Sequence, residues 1–216
     1  MTHIAIIDYG MGNLHSVAKA LEHVAPASRI TITSEPQALL AAGRVIFPGQ
    51  GAMADCMREL EVRGLREAVL EAAASRPFLG ICVGLQMLFE HSEEGDVPGL
   101  GVLRGKVLRF PEPAAATDRD DDPVRLKVPH MGWNTVSATE PTHPLWQDIA
   151  QNERFYFVHA YHVVPAEDSV IAAETSYGRR FTSAVLRDNI FASQFHPEKS
   201  AQAGLRLLAN FVRWNP

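Results

Sequence analysis

The stretch Phe78-Leu79-Gly80-Ile81-Cys82-Val83-Gly84-Leu85-Gln86-Met87-Leu88-Phe89-Glu90 decides how the chain is read. Phe78 to Ile81 is a short apolar run of the kind that forms a buried strand, and the spacing from Val83 to Glu90 suits a helix packed on a sheet. A strand that turns into a helix through Gly-x-Cys-x-Gly is the setting of a nucleophile elbow, with cysteine in place of serine. Such a turn strains the backbone and projects the central side chain, while flanking glycines remove groups that would collide with it. The helix amino terminus favours negative charge and so lowers a cysteine's pKa from its usual value of about 8.5. Read alone, Cys82 is equally a small buried hydrophobe, the commoner fate of a cysteine among apolar neighbours.

Working outward, His3 to Asp8 is an apolar, β-branched run that Gly10-Met11-Gly12 hands to a helical pattern at Leu14, Val17, Ala18 and Leu21. Arg29 to Thr33 and Arg44 to Phe47 repeat the theme, the second ending at Pro48-Gly49 before helical segments that run to about Ala74. Strands alternating with helices predict an α/β fold with a mainly parallel sheet and sites at the carboxyl ends of its strands. After about residue 101 the pattern becomes strand-like, at Val102 to Phe110, Arg154 to Val164, Ser169 to Thr175, Thr182 to Leu186 and Ile190 to Phe195. This C-terminal half is expected to add antiparallel strands. Ser200 stands where it could cap a last helix with Leu205, Leu208 and Val212 on its apolar face. Pro111 to Pro123, with Asp118-Arg119-Asp120-Asp121-Asp122, has too little apolar area to offset ordering and is expected to be an exposed, mobile loop.

The segment Gln194-Phe195-His196-Pro197-Glu198-Lys199 ends another predicted strand and therefore falls at the same rim as Cys82. In an extended chain His196 and Glu198 share a face. An imidazole can take the thiol's proton while a carboxylate fixes its tautomer, so Cys82, His196 and Glu198 form a candidate catalytic triad. The bland alternative is a solvated strand end with an ion pair between Glu198 and Lys199. Donors for a developing oxyanion are available at the Val83 N–H and in Pro48-Gly49-Gln50-Gly51, where Gly49 leaves the Gly49–Gln50 peptide free to reorient. Pro-Gly-x-Gly also reads as an ordinary turn.

Composition removes several function classes. The 216 residues are 46% hydrophobic, enough for one substantial core, and the chain reads as one domain over residues 1–216. With 20 basic against 25 acidic residues and a net charge of −5, there is no basic excess to attract a phosphate backbone, so no nucleic acid is expected. Two cysteines, Cys56 and Cys82, and the absence of a leader-like amino terminus suit a reducing cytoplasm. No apolar stretch approaches the roughly 20 residues needed to span a bilayer, so no membrane partner is expected. Gly10-Met11-Gly12 lacks the third glycine of a dinucleotide loop, where His15 stands, and His196-Pro197-Glu198 has no accompanying P-C-x-x-C for zinc. No metal and no cofactor are anticipated, and His159 and His162, on opposite faces of a strand, read as structural residues.

Three motifs in order, Pro48-Gly49-Gln50-Gly51, Gly80-Ile81-Cys82-Val83-Gly84-Leu85-Gln86 and Gln194-Phe195-His196-Pro197-Glu198-Lys199-Ser200, resemble those of the class I glutamine amidotransferases. Ile7-Asp8-Tyr9-Gly10-Met11-Gly12-Asn13-Leu14 and Val128-Pro129-His130-Met131-Gly132-Trp133-Asn134 resemble, within them, the glutaminase subunits of imidazole glycerol phosphate synthases. The resemblance covers almost the whole chain. It implies a doubly wound fold, hydrolysis of L-glutamine to glutamate and ammonia through a thioester on Cys82, and a heterodimer with a (β/α)8 cyclase subunit that receives the ammonia for histidine biosynthesis. It also implies that Gln86, Glu94 and Tyr161 hold glutamine and that Asn13, Trp133, Tyr156 and Lys199 face the cyclase. The chain departs from the pattern at Gln50, usually apolar in this group, at Ala160, usually a hydroxyl residue, and in the longer, acidic Pro111 to Pro123 stretch. A glutaminase of another synthase, such as that of pyridoxal phosphate, or a cysteine peptidase on a related fold would share the triad. Trp133-Asn134 and Tyr9-Gly10 argue against the first, and release of ammonia without peptide cleavage would separate the second.

Overall fold

A computed structural model describes residues 2–111 and 127–216, so the expected mobile loop lies outside the described residues except for Pro111 at its start, which is exposed. The first half alternates as the sequence implies. It runs β1 (His3–Ile7), α1 (Leu14–Val24), β2 (Arg29–Thr33), α2 (Pro36–Leu40), β3 (Arg44–Gly49), α3 (Met53–Val62), α4 (Arg66–Ser75), β4 (Phe78–Cys82) and α5 (Val83–Gln86). β1 pairs in parallel with β2 and β3, and β3 with β4. The chain goes from β1 outward to β2 and then back across β1 to β3. Because such crossovers are right-handed, their two helices must lie on opposite faces, which makes the sheet doubly wound. β3 and β4 are buried along their whole length, as expected of central parallel strands with both faces covered.

The second half contributes β5 (Phe89–Ser92), β6 (Val97–Pro98), β7 (Leu103–Arg109), β8 (His130–Ala138), β9 (Glu153–His159), β10 (Tyr161–Pro165), β11 (Ile171–Tyr177), β12 (Arg179–Arg187), β13 (Ile190–Ser193) and α6 (Ala201–Arg213). β13 joins the parallel half beside β4, and antiparallel pairs carry the sheet on through β12, β10 and β7. β11 leaves this path to pair with β8, which pairs with β9.

Five local expectations are corrected. The helix after the elbow ends at Gln86 instead of Glu90, and Phe89–Ser92 is a strand. The carbonyls of Met87, Leu88 and Phe89 are taken by the N–H groups of Leu100, Leu103 and Gly101, so tertiary acceptance replaces the helical ladder. The run from Arg154 to Val164 is two strands broken at Ala160, because β9 pairs with β8 whereas β10 pairs with β7 and β12. The strand expected from Ser169 starts at Ile171, after a 3-10 turn over Asp168–Val170. In α6 the buried face is Gly204, Leu207, Leu208, Asn210 and Phe211; Leu205 and Val212 are only partly buried. Ser200 precedes α6 but makes no capping hydrogen bond.

Candidate active site

The register of the parallel strands brings the motifs together. Gly49 at the end of β3 stands beside Cys82 at the end of β4, and Ser193 at the end of β13 stands beside Ile81. Cys82 has φ +56° and ψ −110°, a left-handed backbone that a non-glycine residue adopts only when its surroundings force it. Gly84 shows the forcing. A Cβ there would lie 1.9 Å from the carbonyl oxygen of Phe47, so the turn can pack on β3 only with glycine. At Gly49 a Cβ would meet Gly84 N at 2.6 Å and the Tyr9 hydroxyl at 2.9 Å. Close packing therefore demands this glycine, and the left-handed conformation of the loop falls on Gly51, at φ +100°.

His196 follows β13, and a 3-10 turn over Pro197–Lys199 carries Glu198 back beneath it. The two residues meet through this turn and not through an extended strand. His196 Nδ1 lies 2.9 Å from Glu198 Oε1, with side-chain exposures of 4% and 1%. The bland pairing of Glu198 with Lys199 is thus replaced by a buried histidine–carboxylate pair. Burial alone would lower the His196 pKa, but the negative charge of Cys82, and the hydrogen bond and charge of Glu198, outweigh it and raise it to about 10. Among the described residues, His196 Nε2 and Glu198 Oε2 are buried without a hydrogen-bond partner. Nε2 is the nitrogen left for proton transfer once Nδ1 is held by the carboxylate.

A cavity of about 380 Å³ opens over Cys82 and His196. Gln50, Gly51 and Val83 line it on the elbow side, and Gln86, Glu94 and Tyr161 on the side given to glutamine. One Glu94 oxygen is engaged by the Met53 N–H at 2.8 Å, at the start of α3, whose own N-cap residue supplies no side-chain bond. Gln86 Nε2 donates to Tyr161 O at 3.3 Å and to Gln194 Oε1 at 3.0 Å. Tyr156 and Lys199 reach the rim, with the Lys199 Nζ 6.0 Å from the Tyr156 ring centre. Trp133 sits edge-on to Tyr156 at 6.1 Å and is 47% exposed, next to Met131 at 62%. Asn13 lies apart from the cavity lining, as the residue before α1, and is half-buried.

Cys56 is fully buried in α3, as core packing requires, and its Sγ also lies 3.5 Å from the Gln50 carbonyl oxygen. Burial raises its pKa to about 11, which keeps it a thiol. Among the described residues no group of histidine, cysteine, aspartate or glutamate side chains is arranged to hold a metal.

A family model for class I glutamine amidotransferases matches residues 5–214. The chain belongs to the class I glutamine amidotransferases. Among its amidotransferase relatives, an imidazole glycerol phosphate synthase subunit HisH from Aromatoleum aromaticum is 66% identical over the full length of both chains. The HisH subunit of Thiobacillus denitrificans is 60% identical over 99% of this chain and 92% of its own. Solved structures share the fold at low identity. That of PurLQS from Thermotoga maritima has a TM-score of 0.71 at 17% identity, covering 98% of each chain. The crystal structure of another glutamine amidotransferase has a TM-score of 0.69 at 18% identity, covering 97% of each chain.

The sequence by itself assigns no role to Gln194 and gives Ser200 only the place of a helix cap. Gln194 is completely buried and its Nε2 lies 3.7 Å from Cys82 Sγ. Ser200 Oγ donates to His196 O at 2.6 Å and accepts from Tyr156 N at 2.9 Å, while His196 N donates to Tyr156 O at 2.9 Å. Both lie in the motif that carries His196 and Glu198, but nothing local says where their side chains turn.

Proposed function

We propose that this chain is the glutaminase subunit of an imidazole glycerol phosphate synthase, hydrolysing L-glutamine and passing ammonia to a (β/α)8 cyclase partner in the cytoplasm. The observation that carries the reading is the strained elbow thiol of Cys82 placed in one cavity with the buried His196–Glu198 pair. The Cys82 thiolate attacks the side-chain carbonyl carbon of glutamine, and the oxyanion forms against the Val83 N–H, at the first residue of α5, and the loop of Gly49, Gln50 and Gly51. The imidazolium of His196 gives its proton from Nε2 to the departing nitrogen, and ammonia leaves. Glu198 holds the ring through Nδ1. Water, deprotonated by His196, then opens the thioester to glutamate and restores the thiol. The chemistry draws on protein groups and water, without a metal or cofactor.

The chain covers its HisH relatives over most or all of their length, which supports carrying the subunit's role across. The surface assigned to the cyclase comprises Asn13 before α1, the exposed Trp133, and Tyr156 and Lys199 beside the cavity mouth, and the exposed Met131 extends it. Glutamate and ammonia release should be measured for the lone glutaminase chain, for its mixture with the cyclase, and for that mixture with the aminoimidazole carboxamide ribotide product. Hydrolysis is expected to be slow alone and to rise with the cyclase, most with the ribotide bound. No ammonia from glutamine under any condition would sink the glutaminase reading; full activity alone, unchanged by the cyclase, would sink the pairing.

A further inference from the structure

A continuous chain of hydrogen bonds runs from the exposed Asn134 end of β8 inward to the nucleophile. Asn134 accepts from Thr135 N through Oδ1 at 2.8 Å and donates through Nδ2 to Ser176 O at 2.9 Å, which fixes its amide orientation. The same Nδ2 lies 3.3 Å from His130 Nε2. His130 Nδ1 is 2.9 Å from His159 Nε2, and His159 Nδ1 is 2.7 Å from Tyr161 O. Gln86 reaches the same carbonyl and continues to Gln194, whose Nε2 faces Cys82 Sγ. His130, His159 and Gln86 are each at most 6% exposed, and Gln194 is fully buried.

Every direction in this chain follows from one acceptor. A carbonyl oxygen only accepts, so His159 must carry its proton on Nδ1 and accept at Nε2, and His130 must carry its proton on Nδ1 and accept from Asn134. Burial lowers the pKa of His130 to about 4 and of His159 to about 3, consistent with two neutral rings. From the other side, Gln86 must present its nitrogen to Tyr161 O. Its remaining hydrogen goes to Gln194 Oε1, and the amide nitrogen of Gln194 is thereby turned to the sulfur. An amide N–H can stabilise sulfur lone pairs and a thiolate, and it cannot accept the thiol proton.

We propose that Gln194 is a further catalytic residue, donating a hydrogen bond to the Cys82 sulfur, and that Gln86, His159 and His130 are positioning residues that fix its direction. The inference rests on the reading of Cys82 as nucleophile. It also narrows Gln86, whose hydrogens are spent within the protein, to offering the cavity only an acceptor. The Cys82 Sγ also lies 3.9 Å from the Val158 carbonyl oxygen, which can only accept from the thiol, and His196 backed by Glu198, Tyr9 and Cys56 are the titratable groups that feel its charge; of these only His196, when protonated, offers a competing charged donor.

The test uses Gln194→Met, close in volume without a donor, and Gln194→Glu, which replaces the donor by an acceptor. Alkylation of Cys82 by iodoacetamide at neutral pH, read at the Cys82 peptide, should slow by about tenfold to a hundredfold in Gln194→Met, the range of one hydrogen bond to a charged group, and further in Gln194→Glu. The kcat of glutamine hydrolysis in the full complex should fall with it while KM changes little. Rates within about twofold of the unsubstituted protein in both variants overturn the proposal. A measurement free of substitutions guards against a variant that fails to fold: ¹⁵N spectra at pH 7 should show His130 and His159 as neutral Nδ1–H tautomers. An Nε2–H tautomer at either ring breaks the chain. If Cys82→Ala kept its glutaminase rate, the nucleophile reading itself would fall; a dead Cys82→Ala with an unaffected Gln194→Met would remove only the present inference.

Discussion

The parallel wing and the antiparallel wing reach the same cysteine by different physics. In β3, β4 and β13 every residue is buried, and the elbow is defined by what does not fit: at Gly84 no side chain can stand against the Phe47 carbonyl. In β8 and β9 buried and exposed residues alternate, with Met131 and Trp133 outward and His130, Phe157 and His159 inward. The inward rings stack, His130 at 4.8 Å from Phe157, and what they determine is the direction of hydrogen bonds rather than the filling of space. One wing is therefore intolerant of size and the other of chemistry.

Gly84→Ala breaks the comparison most severely. Its new methyl group meets backbone, which cannot rotate away, so a loss on the order of 3 kcal/mol or more is expected, together with loss of glutaminase activity. Denaturant unfolding of the variant measures it, and an unchanged midpoint would contradict the crowding argument. Within the site, Cys82→Ala should abolish hydrolysis while leaving the fold intact. Glu198→Gln should cost less, since an amide can keep part of the orienting bond to His196 Nδ1. Equal and complete loss in both would give Glu198 a direct part in proton transfer.

The wings should also differ in how pH acts on stability. The His196 pKa is raised to about 10, so its contribution is complete below about 6.5, the ordinary histidine value, and is lost as pH rises through about 10. His130 and His159 are depressed to about 4 and 3, so theirs is present above about 6.5 and is lost as pH falls towards those values. Unfolding midpoints between pH 4 and 10 should pass through a maximum at about pH 6.5, the ordinary histidine value, and His159→Gln should flatten the acid limb while leaving the alkaline limb in place. An unaltered acid limb would show that these rings do not carry it. The smallest effect on the isolated chain belongs to Trp133→Ala, which removes an exposed ring. Thermal unfolding should shift little, and the change should be seen in affinity for the cyclase, measured by titration calorimetry.

Legibility in the sequence follows the same division. The elbow can be read because its evidence is local: a buried apolar run, flanking glycines and a helix start within a few residues. The helix nevertheless reads too long, since nothing between Met87 and Phe89 announces that Leu100, Gly101 and Leu103 will take those carbonyls. The strand break at Ala160 is invisible for the same reason, because it is set by which strands lie on either side. His196 and Glu198 do come together as their spacing suggests, but through a different backbone, a 3-10 turn in place of an extended pair. Gln194 stands in plain view within its motif, yet its direction depends on Gln86 and Tyr161, far away in the chain.

The three bonds among Tyr156, His196 and Ser200 have a mechanical consequence. Tyr156 is clasped through both its N–H and its carbonyl, so the strand carrying it and the turn carrying the imidazole have no soft joint between them. A load applied to the Tyr156 ring at the molecular surface is not absorbed by side-chain rotation alone; it is borne by a closed loop of short bonds that contains the backbone of His196. Such a clasp ties the position of the His196 backbone to that of β9, whereas the elbow beneath Cys82 is fixed by its crowding against β3.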